Sequence, residues 1–249
     1  MLGVLCVSPA QIWSESHNYH HGIFGDLDKV DTGQTIFVTK QQYETMSLGL
    51  RATLRVVRDP RVFFTVFPVF KWFVVEPLYE LYRRGVCLAF VEHVLGLALY
   101  YALMVNSSSP LLFAVLGAAT PASLGFVLFH LQHAVNAPYR RRTQYWFKQH
   151  GALHGSTHLY VPPVLDFFTM GIEYHHIHHL NTRVPGYRLR ECHNSQPPEF
   201  WYQHHNVNHV SLPQAAQAMW YVFVCFLVFW FGGGGGGGKR GKWCGKREG

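Results

Sequence analysis

One stretch, 85–130, limits the fold more than any other feature, because Glu92 is its single charged side chain in 46 residues. A polar break at 106–110 divides it into Val86–Val105 and Leu111–His130, each 20 residues long. At 1.5 Å per residue, a helix of this length is about 30 Å long, which matches the hydrocarbon core of a bilayer. The pattern predicts a transmembrane helical hairpin. Two buried core helices of a soluble protein are the alternative.

Basic residues flank the predicted hairpin (86–130) on both sides. Arg83 and Arg84 precede it, Arg140–Arg142 and Lys148 follow it, and the turn carries no charge. Because positive loops stay in the cytoplasm, both ends of the hairpin are expected on that side. The predicted fold is therefore mainly α: an integral-membrane helical protein in which a transmembrane hairpin carries a cytoplasmic helical cap.

Three further regions have distinct compositions. Val62–Tyr82 is apolar but contains two prolines and three charged residues, which favours an interfacial or re-entrant segment. The apolar segment 211–231 includes a run of 17 residues, Ala215–Phe231, that is barely long enough to span a bilayer or lies at its surface. The glycine-rich basic tail, 232–249, predicts a disordered end. The main domain is thus expected over 1–210.

Histidine is unusually frequent, with 17 residues against 14 Asp and Glu together. Two HxxHH patterns and one isolated pair hold many of them, and residues three and four apart share one face of a helix. Because the hairpin goes out and returns, clusters before and after it are expected on one membrane face. The candidate metal ligands are His17, His20, His21, His133, His175, His178 and His179.

Neutral imidazole binds zinc, copper, iron or nickel, and seven imidazoles are too many for one tetrahedral zinc. A two-metal centre is therefore predicted, with iron the choice if oxygen is to be activated. His130 is interpreted as a core residue and His176 as pointing away from the metal. The remaining candidates, interpreted as solvated surface residues, are His193, His204, His205, His209, Asp26, Asp28 and Glu173.

Three segments resemble motifs of the integral-membrane fatty acid desaturases, specifically the delta-12 (omega-6) type. Trp13–His21 reads WSESHNYHH and is followed by GDLD, like the second histidine box of that family. Phe129–His133 reads FHLQH, like the segment that carries an additional ligand at the position of His133. Glu173–Leu189 reads EYHHIHHLNTRVPGYRL, like the third box with its R-[IV]-P-x-Y-x-L continuation. The resemblance runs from about Leu2 to His193.

This resemblance implies a di-iron enzyme that uses O2 to insert a cis double bond into an acyl chain. Two Fe ions would be held by the seven histidines, and the substrate would be an acyl-lipid or acyl-CoA. Electrons would come from a separate cytochrome b5 or ferredoxin. The enzyme would lie in an endoplasmic reticulum or plastid membrane, with its active site on the cytoplasmic or stromal face. Nucleic acid is not expected as a partner, because the basic residues flank membrane spans or lie in the tail.

The family also has a first box, HDxxH, before the second, and here no histidine precedes His17. The chain is therefore expected to be truncated before that box. Substitution by His93, about 10 Å inside a span, or by a helical stripe of His150, His154 and His158 is not expected. A truncated or degenerate non-catalytic homologue, or another histidine-box lipid hydroxylase or oxygenase, remains the alternative.

Overall fold

The computed structural model describes residues 7–29, 38–134, 139–204 and 207–217. Most of the apolar segment 211–231 and the entire tail 232–249 lie outside the described residues, so their predictions stay untested. Within the described residues, the chain is mainly helical, as predicted from the sequence.

The described part of the chain contains ten main helices, one pair of parallel strands, and further helical segments at Thr143–Tyr145, Phe200–His204 and 212–217. Several of the helices begin with proline, whose fixed φ suits the first turn. The helices are α1 Ala10–Ile23, α2 Lys40–Thr45, α3 Leu48–Arg58, α4 Val62–Arg84, α5 Leu88–Val105, α6 Pro110–His133, α7 Lys148–His154, α8 Pro163–Thr169, α9 His175–Leu180 and α10 Gly186–Asn194, and the strands are β1 Thr157–Tyr160 and β2 Asn208–Ser211.

Helices α5 and α6 form the predicted hairpin. Asn106 and Ser107 end α5 by donating side-chain hydrogen bonds to the carbonyls of Ala102 (2.7 Å) and Met104 (2.9 Å), and Pro110 starts α6. Only 17% and 6% of the most apolar parts of the two helices are buried inside the protein. Such helices cannot be core helices of a soluble protein, because their apolar side chains face outward. Both are long and apolar enough to cross a membrane.

Helix α4 is a third helix long and apolar enough to cross a membrane. Its contacts, however, bring both of its ends to the histidine side of the hairpin. Phe63 near its start packs on His130 of α6 with ring centroids 5.6 Å apart, and Arg84 at its end pairs with Glu15 of α1. Gly85, at φ +68°, then turns the chain into α5. This arrangement does not test whether α4 is interfacial, re-entrant or spanning, so the interfacial or re-entrant segment stays a prediction.

The described residues that follow α6 pack in two small cores. Strands β1 and β2 pair in parallel, with Thr157 opposite Asn208. One small core contains Ile177 and Leu189 of α9 and α10. A second joins Leu131 of α6 to Leu159 of β1, and so packs this region against the end of the hairpin.

Candidate metal centre

The structure brings all seven predicted histidines together at the junction of α1, α6 and α9. Helix α1 supplies His17, His20 and His21 from one face, as the HxxHH spacing requires. The end of α6 supplies His133. The second HxxHH pattern, on α9, supplies the remaining three, His175, His178 and His179.

Six of these histidines form two groups in which the ring nitrogens lie within 4.8 Å of one another. In the first group, His17 Nε2 lies 3.0 Å from the Nε2 atoms of both His21 and His178. The second group contains His20, His133 and His179. Each group takes ligand atoms from both α1 and α9, so the two short helices are needed together.

The seventh histidine, His175, joins the second group. Its Nε2 lies 2.9 Å from His133 Nε2 and 3.1 Å from His179 Nε2. Two imidazole nitrogens bound at right angles to one metal, with bonds of about 2.1 Å, would lie about 3 Å apart. The observed spacings therefore fit a metal-binding donor set.

Burial keeps four of these imidazoles neutral, which is the form that binds metal. Loss of solvent, reinforced by the neighbouring His178, lowers the pKa of His21 to about 2. The same cause lowers the pKa of His178 to about 4, and it holds the pKa values of His175 and His179 well below the usual range.

Phe24, directly after α1, packs beneath the cluster. Its ring centroid lies 4.5 Å from that of His133 and 4.4 Å from that of His179. Gly151 of α7 packs so closely on the Phe24 carbonyl that a Cβ there would clash with it. Gly155 leaves space for the Phe24 ring, and its carbonyl lies 3.3 Å from His133 Nδ1. A backbone partner of this kind fixes the orientation of a metal-binding imidazole.

The three nearby acids differ from one another. Asp28 is exposed and pairs with Arg142, as interpreted from the sequence. The surface interpretation is wrong for Asp26 and Glu173, which are both buried. Asp26 accepts a hydrogen bond from Thr143 Oγ1 at 2.8 Å and ties α1 to the chain after α6. Glu173 accepts one from Thr169 Oγ1 at 2.6 Å.

His176 points away from the seven, as expected, and belongs to a second histidine network, formed by His158, His176, His193 and Tyr202. His176 Nε2 lies 3.0 Å from His193 Nδ1, and the Tyr202 hydroxyl lies 3.3 Å from His193 Nε2 and 2.7 Å from His158 Nδ1. The surface interpretation of His193 is therefore wrong, because its ring is buried. Burial lowers the pKa of His158 to about 3 and that of His193 to about 4.

The other histidines lie apart from the cluster. His130 packs on Phe63 and Phe64, as a core residue would. His150 and His154 do not share a helix with His158, because α7 ends at His154. His209 is exposed, and His205 and the side chain of His204 lie outside the described part of the chain, so their surface interpretation stays untested.

A cavity of about 710 Å³ extends from the cluster between α1 and the three long helices. His17, His175 and His178 line its histidine end. Apolar and aromatic side chains such as Phe73 and Phe126 line its deeper part. This cavity was not predicted from the sequence, because α4 was not expected to form one of its walls.

Comparison with known proteins gives two matches. The family model for fatty acid desaturases matches residues 1–210. A curated protein of Bacillus subtilis (strain 168), named fatty acid desaturase, is 28% identical over 202 residues, which are 80% of this chain and 57% of that protein. The chain thus spans a little over half the length of this relative. No solved structure matches the chain.

Proposed function

The chain belongs to the fatty acid desaturase family, and from this premise we propose that it inserts a cis double bond into the acyl chain of a lipid. The reaction would use O2 and two Fe ions. The observation that supports this proposal best is the pair of imidazole groups, in which seven buried or half-buried histidines from α1, α6 and α9 place their ring nitrogens close together. Bound iron would supply the activation of oxygen.

The protein's own residues would hold and orient the substrate. His17, His175 and His178 line both the candidate metal centre and the cavity, so a chain in the cavity passes beside the imidazoles. Phe129 also lines the cavity and packs edge-on against His133 at 4.9 Å. Such an apolar wall keeps water away from the reacting carbon atoms.

The finer features of the proposal derive from the sequence motifs. The continuation from Arg183 to Leu189 supports a desaturase over a lipid hydroxylase, and the resemblance of the motifs to the delta-12 type supports an omega-6 preference. The substrate would be an acyl-lipid or acyl-CoA, and a separate carrier such as cytochrome b5 or ferredoxin would supply two electrons. An endoplasmic reticulum or plastid membrane would hold the protein, with the histidines on the cytoplasmic or stromal face.

The test uses the full chain purified in detergent and loaded with ferrous iron without oxygen. Iron is counted by mass spectrometry, and fatty acids are analysed after addition of lipid vesicles, O2 and an electron carrier with its reductase. We expect two iron ions per chain and an O2-dependent double bond. His133→Ala should lose both iron and product, whereas His130→Ala, one turn earlier, should keep them.

Other outcomes would point to the rival functions. A chain that binds no iron and makes no product would be a non-catalytic homologue. A hydroxylated product would identify a lipid hydroxylase instead. Product formation that survives in His133→Ala would contradict the assignment of the centre itself.

A further inference from the structure

The cavity contains one polar group that the proposed reaction does not use. His93 lies on the face of α5 that also buries Ala89 and Gly96, and its side chain lines the cavity. The residue is only 3% exposed. One side of its ring faces the backbone of Trp72 on α4. Within the described residues, its Nε2 has no hydrogen-bond partner.

The chemistry of imidazole defines what this nitrogen can bind. A neutral ring that donates one N–H to a backbone carbonyl keeps its second nitrogen as an acceptor. Hydrocarbon cannot donate to it, and a buried acceptor without a partner destabilises any complex that leaves it so. A ligand that places a hydroxyl group at His93 would satisfy it.

The walls of the cavity favour such an amphipathic ligand. On α4, the charged residues Lys71 and Glu76 pair with each other, and Glu80 pairs with Arg84 at 3.1 Å. These groups give the α4 side of the cavity a polar character close to His93. Apart from Gln132 at its end, helix α6 contributes small or apolar residues instead, such as Gly117, Ala118, Pro121, Ala122 and Gly125.

We propose that His93 is a polar subsite that accepts a hydrogen bond from a hydroxyl group of the lipid in the cavity. The cavity therefore prefers a hydroxylated acyl chain to an unsubstituted one. Because the same cavity ends at His175 and His178, the bond to His93 also fixes which carbon atoms lie beside the imidazoles. This subsite rests on the proposed function only in taking an acyl chain as the occupant.

The test measures binding to the metal-free full chain in detergent, by displacement of a fluorescent octadecanoyl probe. The competitors are methyl octadecanoate, its mid-chain hydroxy derivative, the corresponding methoxy ether, and octadecanoyl glycerol. We expect the hydroxy ester to bind about tenfold more tightly than the plain ester. The methoxy ether, which cannot donate, should lose this advantage. Stronger binding of octadecanoyl glycerol alone would move the hydroxyl to the head group and overturn the chain-borne assignment.

Two variants test whether His93 causes the preference for the hydroxy ester. His93→Leu should bind the plain ester normally and show no preference for the hydroxyl. His130→Leu, a histidine of the neighbouring helix outside the cavity lining, should keep the preference. Equal binding of hydroxy and plain esters to the unmodified protein, or a preference that survives in His93→Leu, would refute the subsite. The methoxy comparison needs no variant, so it decides the matter even if His93→Leu does not fold. Since no iron or turnover is involved, failure of the desaturase proposal would leave this result unaffected.

Discussion

Helix α9 carries histidines on two faces, and the two faces have different environments. His175, His178 and His179 face ring nitrogens of α1 and α6, whereas His176 faces the second histidine network. His176 and His179 are equally buried, at 0% and 1% exposure. Burial and residue type are therefore the same on both faces, and only the partners distinguish a candidate metal ligand from a structural histidine.

The two faces differ in whether the N–H and O–H groups present can supply a hydrogen bond to every ring nitrogen that needs one. In the second network, the Tyr202 hydroxyl can both donate and accept, so it links His193 to His158. In the metal-facing cluster, His17 Nε2 is close to two other Nε2 atoms at once. A neutral imidazole has one N–H, which serves one partner, whereas a cation satisfies every nitrogen around it.

The largest expected effect separates the two faces directly. His179→Ala removes a metal-facing nitrogen, and we expect its iron affinity to fall by more than about 100-fold, because even changes to outer partners cost 10–100-fold. His176→Ala, on the same helix, should keep its iron but lose about 2 kcal/mol of stability through its lost bond and packing. Iron titration measures the iron affinity of each variant, and thermal unfolding measures its stability. Equal loss of iron in the two variants would contradict the division of α9 into a metal-binding face and a structural face.

A smaller effect is expected from beneath the metal-facing cluster. Gly151→Ala should push the Phe24 carbonyl away and destabilise the protein by about 1–3 kcal/mol. Iron binding should weaken with it, since Phe24 packs on His133 and His179. Gly49→Ala, in a helix where the new methyl group meets open space, is the matched control. The role of Phe24 as a support is wrong if both variants unfold at the same temperature as the unmodified protein.

The smallest effect is the dependence of folding stability on pH that arises from the second histidine network. The folded-state pKa values of His158 (about 3) and His193 (about 4) lie below the unfolded value, about 6.5. The unfolded chain therefore binds more protons below pH 6.5, and stability is complete above that pH and falls as the pH decreases towards 4 and 3. Each histidine contributes a slope of up to about 1.4 kcal/mol per pH unit.

Unfolding temperatures of metal-free protein between pH 7 and pH 5 measure this slope. The pKa values of His21, His175, His178 and His179 are lowered in the same direction, so the informative quantity is the difference between variants. His193→Gln should show a shallower dependence on pH than the unmodified protein. An unchanged slope in His193→Gln would mean that His193 is not held neutral by folding.

Features that depend on local pattern were predictable from the sequence. The hairpin follows from the lack of charge over 85–130, and the convergence of the seven histidines follows from two HxxHH spacings and the return of the chain. Features that depend on distant contacts were not. The His176–His193 and His158–Tyr202 contacts join residues 17 and 44 positions apart, and the bond that buries Asp26 spans 117.

Because α9 is short, its position depends on the contacts of both of its faces. A helix of six residues has too few hydrogen bonds to be stable by itself. A shift of its register by one residue would turn every side chain by about 100° and put His176 in the place of His175. The contacts of the metal-facing cluster and those of the second histidine network would then be lost at the same time. Contacts on both faces therefore fix the rotation of the helix about its axis, and they do so without a bound ion.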